Sequence, residues 1–141
     1  MTDTYINPAA LDKQLEHIRD SADLWLYLVP AWTRGTTYAT ANSNKIAEFE
    51  NPTFGAIVDE TTLNGADSDA PNRRLPVDSI TFLDAVADNT DGVDLCQMLV
   101  DKAGTTILAV SNETTDRAIT TGDSITSFAF FIQASQPAQL A

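Results

Sequence analysis

The spacing of apolar residues along the chain changes once, near residue 22. Before that point Leu11, Leu15 and Ile18 recur every three to four residues, which predicts an amphipathic helix over residues 8–21. The preceding pair Asn7-Pro8 supplies a capping side chain and a proline at the first helical position, where no hydrogen bond is lost. We expect the stripe to be buried against the rest of the chain or a neighbouring copy, because so short a helix needs packing to persist.

From Leu24 onward the pattern predicts strands. The run 24–29 is apolar on both faces, which indicates a strand buried on two sides or covered by a partner. Long polar loops are predicted over 31–45 and 59–72, and a shorter one over 111–115. Further strands are predicted at 46–50, 54–58, 79–83, 93–100, 105–110 and 124–133, the last being the longest.

One helix followed by short strands predicts a mostly β fold: an antiparallel β-sandwich, jelly-roll or Greek-key-like, with one short N-terminal α-helix. The 141 residues, 43% of them hydrophobic, suffice for one packed core. We therefore predict a single structural domain, with an arm and amphipathic helix over 1–22. A β-sandwich over 23–141 follows, with a polar C-terminal tail from residue 134.

The formal net charge of −12 disfavours nucleic acid and anionic membrane surfaces as partners. The charge either keeps the protein soluble or lets an acidic surface dock on a basic partner. Ten of the twenty acidic residues lie between Asp59 and Asp101, where Arg73 and Arg74 are the only basic residues. Alternation points the two arginines to opposite sides, so each is expected to neutralise a nearby carboxylate.

The first residues show no basic region followed by an apolar core, so no signal peptide is predicted. No apolar run approaches the roughly 18 residues of a membrane span. One cysteine excludes an intrachain disulfide. These features predict synthesis and folding in a cytoplasm, without a membrane partner.

Few residues are candidates for chemistry, and we predict no catalytic, cofactor-binding or metal-ligating residue. His17 falls on the polar side of the predicted helix and Cys96 within a predicted strand, which indicates a surface histidine and a buried small residue. The turn with Asp88, Asp91 and Asp94 departs from the helical calcium-loop spacing. A solvated turn is expected there, and a weak metal site stays open as an alternative.

The tryptophans are candidates for binding a partner. Trp25 lies in the first predicted strand, and Trp32 lies in the long loop that follows. An aromatic residue in a loop can anchor an interface, stack on a sugar or fold back over the core. The predicted partner-binding residues are Trp25, Trp32, Leu11, Leu15 and Ile18.

Two segments of the second half carry a resemblance to a known class. These are the hairpin Leu99-Val-Asp-Lys-Ala-Gly-Thr-Thr-Ile-Leu-Ala-Val110 and the closing Ala118-Ile-Thr-Thr-Gly-Asp-Ser-Ile-Thr126. With the leading helix, the strand Leu24–Pro30 and Phe49-Glu-Asn-Pro-Thr-Phe-Gly55, the chain resembles small virion structural proteins of tailed bacteriophages, especially capsid decoration (cement) proteins. The resemblance spans most of the chain and rests on pattern rather than on a diagnostic motif.

The resemblance implies a non-enzymatic, homo-oligomeric protein that binds the major capsid protein or another virion protein and stabilises the head. Its location would be the capsid surface of the virion, after synthesis in the host cytoplasm. Tail, neck and fibre components share such patterns and form the first alternative. A carbohydrate-binding module is the second, which an exposed Trp25 or Trp32 over a polar groove would favour.

Overall fold

The structure is a computed structural model that describes residues 5–30, 32–63, 66–90 and 93–137, and only the backbone of 113–116. Of the described residues 38% lie in strands and 15% in helices, and the paired strands are antiparallel, which confirms the mostly β class. No helix within the described ranges has the length and apolarity to cross a membrane.

In chain order the elements are α1 (Pro8–Arg19), β1 (Leu24–Pro30), α2 (Tyr38–Asn44), β2 (Ala47–Glu50), β3 (Val58–Glu60), β4 (Asn72–Val77), β5 (Thr81–Phe82), β6 (Asp94–Asp101), β7 (Thr106–Asp116), β8 (Ile125–Thr126) and β9 (Phe130–Ala134).

The chain divides into two compact units. Unit 1 comprises the described residues of Met1–Asp20, Phe54–Val77 and Phe130–Ala141, and unit 2 comprises those of Ser21–Thr53 and Asp78–Ala129. The single domain predicted from the sequence, with its boundary after residue 22, stays a prediction. The three antiparallel sheets of the described residues are compatible with the predicted sandwich, whose jelly-roll or Greek-key connectivity also stays a prediction.

In unit 1, helix α1 packs on a sheet of order β3–β4–β9. Leu11 and Leu15 of the helix lie against Leu75 of β4 and Ala134 of β9, and all four are buried. Burying a leucine side chain contributes about 1.5–3 kcal/mol. The prediction that the helical stripe is buried is thus confirmed for Leu11 and Leu15, whereas Ile18 is half-buried.

The start of α1 is as predicted. The side chain of Asn7 accepts a hydrogen bond of 2.9 Å from the backbone N–H of Ala9, and Pro8 opens the helix. Arg73 of β4 ties the helix to the sheet, because its Nε lies 2.7 Å from Oδ1 of Asp12 and its guanidinium also pairs with Asp59.

A polar network closes the end of unit 1. The buried Asn72 donates to Oε2 of Glu60 at 2.9 Å and to the carbonyl of Leu63 at 2.8 Å. Its Oδ1 accepts from the backbone N–H of Gln136, whose side chain exchanges two hydrogen bonds with the backbone of Ile6. Three distant segments are thereby joined. Gln136 of the predicted polar tail is buried in this network, and residues 138–141 lie outside the described residues.

In unit 2 the main sheet has the order β2–β1–β6–β7. The central strand β1 is buried on both faces, as its two-sided apolar pattern predicts: Leu26, Tyr27 and Leu28 are each fully buried. Tyr27 belongs to a core cluster with Cys96 and Met98 of β6 and the small Ala41 of α2.

Helix α2 corrects the prediction of a loop over 31–45 and of a single helix. The side chain of Thr37 caps it by accepting from the N–H of Thr40 at 3.2 Å. Ala41 of this helix is buried, and the hydroxyls of Tyr38 and Tyr27 lie 3.0 Å apart. The packing contacts of the helix are therefore confined to about one turn, which is too short for apolar residues to repeat with a helical period in the sequence.

The predicted strand 124–133 is also wrong, since β8 and β9 are separate strands in different sheets. Ser127 stays opposite Ile80 in continuation of the β5–β8 register, and its hydroxyl accepts from the N–H of Ile80. The carbonyl of Phe128 then accepts from Nε2 of Gln97 at 2.9 Å, before β9 pairs with β4.

Four further segments differ from the prediction. Strand β7 continues through the expected loop at 111–115, because Asn112 and Asp116 still pair with β6, so β7 rather than the last strand is the longest. The strand predicted at 54–58 is reduced to an isolated bridge at Phe54, with β3 beginning at Val58. No strand was expected over 72–77, where β4 lies, and the strand predicted at 79–83 is limited to Thr81–Phe82.

Candidate interaction surfaces

The sheet of unit 1 has a second face, opposite α1, that carries an aromatic–arginine pair. Residues directly opposite on neighbouring strands share a face, which places Val58, Arg74, Pro76 and Phe131 together, away from Leu75. Val58 is 44% exposed and Phe131 48%. The guanidinium carbon of Arg74 lies 3.8 Å from the centre of the Phe131 ring.

Arg74 also lies near a carboxylate on the same face. Its NH2 lies 3.7 Å from Oε1 of the buried Glu60, which is beyond a direct hydrogen bond. Arg73, one residue earlier, pairs with Asp12 and Asp59 on the α1 side. The prediction that the two arginines point apart and each meet a carboxylate is confirmed.

Unit 2 carries a second aromatic–arginine pair. Phe128 is 61% exposed, and the guanidinium carbon of Arg117 lies 5.0 Å from the centre of its ring. Arg117 also donates to the carbonyl of Thr126 at 2.8 Å. Since Gln97 holds the backbone of Phe128, the ring projects from a fixed position. We call Arg74–Phe131 and Arg117–Phe128 the two Phe–Arg pairs.

The predicted partner-binding residues lie in different surroundings. Leu11 and Leu15 fill the core of unit 1 and leave no side-chain surface for a partner in the folded chain, while Ile18 keeps some exposure. The half-buried Trp25 donates from Nε1 to Oδ1 of Asp23 at 2.9 Å. Its ring has the ammonium of Lys102 at 4.0 Å from its centre, so its own chain occupies one ring face.

Trp32 is half-buried and packs against the core cluster around Tyr27, so the alternative in which it folds back over the core describes its position. Its Nε1 is buried and has no hydrogen-bond partner. The assignment of Trp25, Trp32 and Ile18 to partner binding stays a prediction.

A depression of about 550 Å³ opens beside α2. Its lining consists of side chains that are mostly hydroxyls and amides: Thr37, Tyr38, Ala39, Asn42, Ser43 and Thr105. Neither tryptophan belongs to this lining, so the condition that would favour a carbohydrate-binding module is not met at this depression.

Many exposed carboxylates act as acceptors for turns. Asp67 accepts from the N–H groups of Asp69 and Ala70, and Asp101 accepts from that of Gly104. Asp88 accepts from both the N–H and the hydroxyl of Thr121, and these bonds lower its pKa. The acidic stretch therefore shapes its own turns while most of its carboxylates remain exposed.

The candidate chemical residues are placed as predicted. Cys96 is buried in the unit 2 core and His17 is exposed on α1. Asp91, the middle member of the candidate metal turn, lies outside the described residues, and among the described ones no three His, Cys, Asp or Glu side chains are grouped to hold a metal. The absence of a catalytic or cofactor role stays a prediction.

Sequence reasoning missed Phe128, Phe131 and their arginines. Both phenylalanines fall within a single predicted strand, and alternation would have placed residues 128 and 131 on opposite faces of it. The signal that could have found them is the run Phe128-Ala-Phe-Phe131. It has three aromatic side chains within four residues, which is more than one buried face of a strand can accommodate. The other strongly exposed apolar residues are Tyr5, Leu63, Leu83 and Val86.

Comparison with known proteins gives no assignment: no protein-family model matches the chain, and no curated protein or solved structure does so.

Proposed function

We propose that this protein is a non-enzymatic structural protein of a tailed-phage virion, and specifically a decoration protein that binds the major capsid protein and stabilises the head. The phage assignment rests on the sequence resemblance. The structural observation that supports a binding role is the presence of the two Phe–Arg pairs, whose aromatic rings are exposed to solvent.

Aromatic and arginine side chains are enriched among the residues that dominate the binding energy of protein interfaces. In each pair the arginine lies against the ring and limits the freedom of both side chains. A preorganised anchor loses less entropy on binding. The pairs are therefore better suited to binding in apolar pockets of a protein partner than to binding nucleic acid.

The acidic surface indicates the sign of charge that the proposed partner should carry. At a net charge of −12 with exposed carboxylates along residues 59–101, a basic surface would be attracted and steered into contact. The pairs would then supply affinity, and the carboxylates would supply speed and orientation. Many copies bound to one capsid would each contribute a small interface, and together these interfaces would resist the internal pressure of packaged DNA.

The location is tested by separating heads from tails of the particles that contain this chain and quantifying it by mass spectrometry against the major capsid protein. A fixed ratio in the head fraction is the expected result. Recovery only with tails, necks or fibres would replace the decoration role by that alternative, and absence from washed particles would refute the virion assignment.

The role of the two Phe–Arg pairs is tested with Phe131→Ala and Phe128→Ala. If the rings are anchors, each variant should dissociate from heads about tenfold faster or more, which corresponds to a loss of about 1.4 kcal/mol or more. Leu83→Ala is the matched control, since Leu83 is 67% exposed and is in neither pair. An equal effect of all three substitutions would contradict the anchors, and melting curves would verify that each variant folds.

A further inference from the structure

The strand β7 forms one edge of the main sheet of unit 2, because the order is β2–β1–β6–β7. It is the longest strand of the described residues at eleven residues, and β6 beside it has eight. At about 3.4 Å per residue such a strand extends roughly 37 Å. Backbone N–H and C=O groups along this edge point away from β6 and can pair with a further strand.

Part of this edge lacks the charges and prolines that usually prevent such pairing. Over Thr106–Asp116 there is no lysine, arginine or proline, and both acidic residues, Glu113 and Asp116, follow Asn112, so the segment 106–112 is uncharged. One protective feature is present, a register irregularity at Leu108. The edge strands β2 and β3 have four and three residues, and each carries two acidic residues within that short length. Strand β9 is uncharged but has only five residues.

The side chains along this edge are incompletely covered. Residues 95–100 of β6 are all buried, whereas residues 107–111 of β7 are all half-buried, and four of these five are apolar. Leu108 is the extra residue of an irregularity in the β6–β7 register, where Ala109 pairs with Leu99 and Ile107 with Val100. A further strand would bury the remaining apolar surface of Ile107, Leu108, Ala109 and Val110.

We propose that β7 pairs antiparallel with β7 of a second copy of this protein, which makes one continuous eight-stranded sheet across a two-fold axis. A second copy presents the same uncharged edge of equal length, so antiparallel pairing along 106–112 sets no charged side chains opposite one another. An isologous contact of this kind closes on itself and gives a dimer rather than a fibre.

Net charge opposes the contact, because each copy carries −12. The uncharged segment keeps the paired strands themselves free of like charges, and the remaining repulsion is long-range and screened by salt. Dimerisation should therefore strengthen as the salt concentration rises. Association with a basic capsid should respond to salt in the opposite direction, which separates the two contacts.

The first test is sedimentation velocity of the purified full chain across protein and salt concentrations. A species of twice the 15.2 kDa chain mass that grows with both is expected. Leu108→Lys should restore the monomer, since two ammonium groups would meet near the axis, and Leu83→Lys should remain dimeric. A monomer under every condition, or loss of the dimer with both variants alike, would overturn the proposal.

A second test does not depend on how a lysine affects folding. Single cysteines are introduced in turn at residues 107–112 of a Cys96→Ala chain, and disulfide-linked dimers are counted after mild oxidation. Antiparallel pairing about a two-fold axis predicts a maximum at one or two adjacent positions and a decline on both sides. Uniform cross-linking, or none, would refute the pairing. Because only the isolated protein is used, failure here leaves the proposed capsid role standing.

Discussion

Glu60 is the residue on which the end of unit 1 depends. Glu60 is 5% exposed, and its carboxylate accepts from the hydroxyl and N–H of Thr62, the N–H of Leu63 at 3.2 Å and Nδ2 of Asn72 at 2.9 Å. These bonds, led by the Thr62 hydroxyl, lower its pKa from 4.5 to about 2. A buried acceptor surrounded by donors holds its charge because every donor favours the ionised form.

The depressed pKa of Glu60 predicts acid sensitivity. The folded state binds this proton more weakly than the unfolded state, so its stabilising effect is complete above about pH 4.5 and is lost as the pH falls toward 2. Glu60→Gln should lower the melting temperature at pH 7, and the difference from wild type should shrink through that window. Thermal melts at several pH values measure it, with the exposed Asp69→Asn as control. A pH-independent difference would contradict the account.

The packing that stabilises a helix or strand is visible in the local sequence for some elements and not for others. Helix α1 could be predicted with its cap because its stripe repeats over three turns. Strand β1 could be predicted because it is continuously apolar, and β6 because residues 95–100 are apolar except for Gln97. Helix α2 has one buried alanine, so no period exists to detect. The change of sheet between β8 and β9 is accompanied by hydrogen bonds of Ser127 and Phe128 to Ile80 and Gln97, which lie far away in the chain.

The same distinction applies to the candidate surfaces. Burial of Cys96 and exposure of His17 follow from their local patterns. The two Phe–Arg pairs could not be predicted, because Arg74 and Arg117 come from segments remote from Phe131 and Phe128. Only strand register brings those side chains together, and register depends on the whole fold.

The packing of α1 predicts a sharp contrast between neighbouring positions. Leu15→Asp places a carboxylate in the unit 1 core and should lower the free energy of unfolding by about 3 kcal/mol or more. Gln14→Asp makes the same charge change on an exposed position of the same helix and should have little effect. Urea unfolding of both variants measures the difference. Equal midpoints would show that the helix does not depend on Leu15.

At the scale of the whole molecule, the proposed capsid role assigns separate tasks to charge and anchors. On that proposal the exposed carboxylates set how fast a basic partner is reached, and the contacts that Phe128 and Phe131 would bury on binding set how long the complex lasts. Exposed charges are screened beyond about 8–10 Å at moderate salt. The salt dependence of the two rate constants therefore distinguishes a docking surface from a charge that serves solubility alone.

The most direct measurement is the binding of purified protein to immobilised heads that lack it, followed across a salt series. The account predicts an association rate that falls steeply with salt and a dissociation rate that changes little. It also predicts that Phe131→Ala and Phe128→Ala accelerate dissociation without altering the salt slope. Absence of binding, or an association rate that is indifferent to salt, would contradict the account.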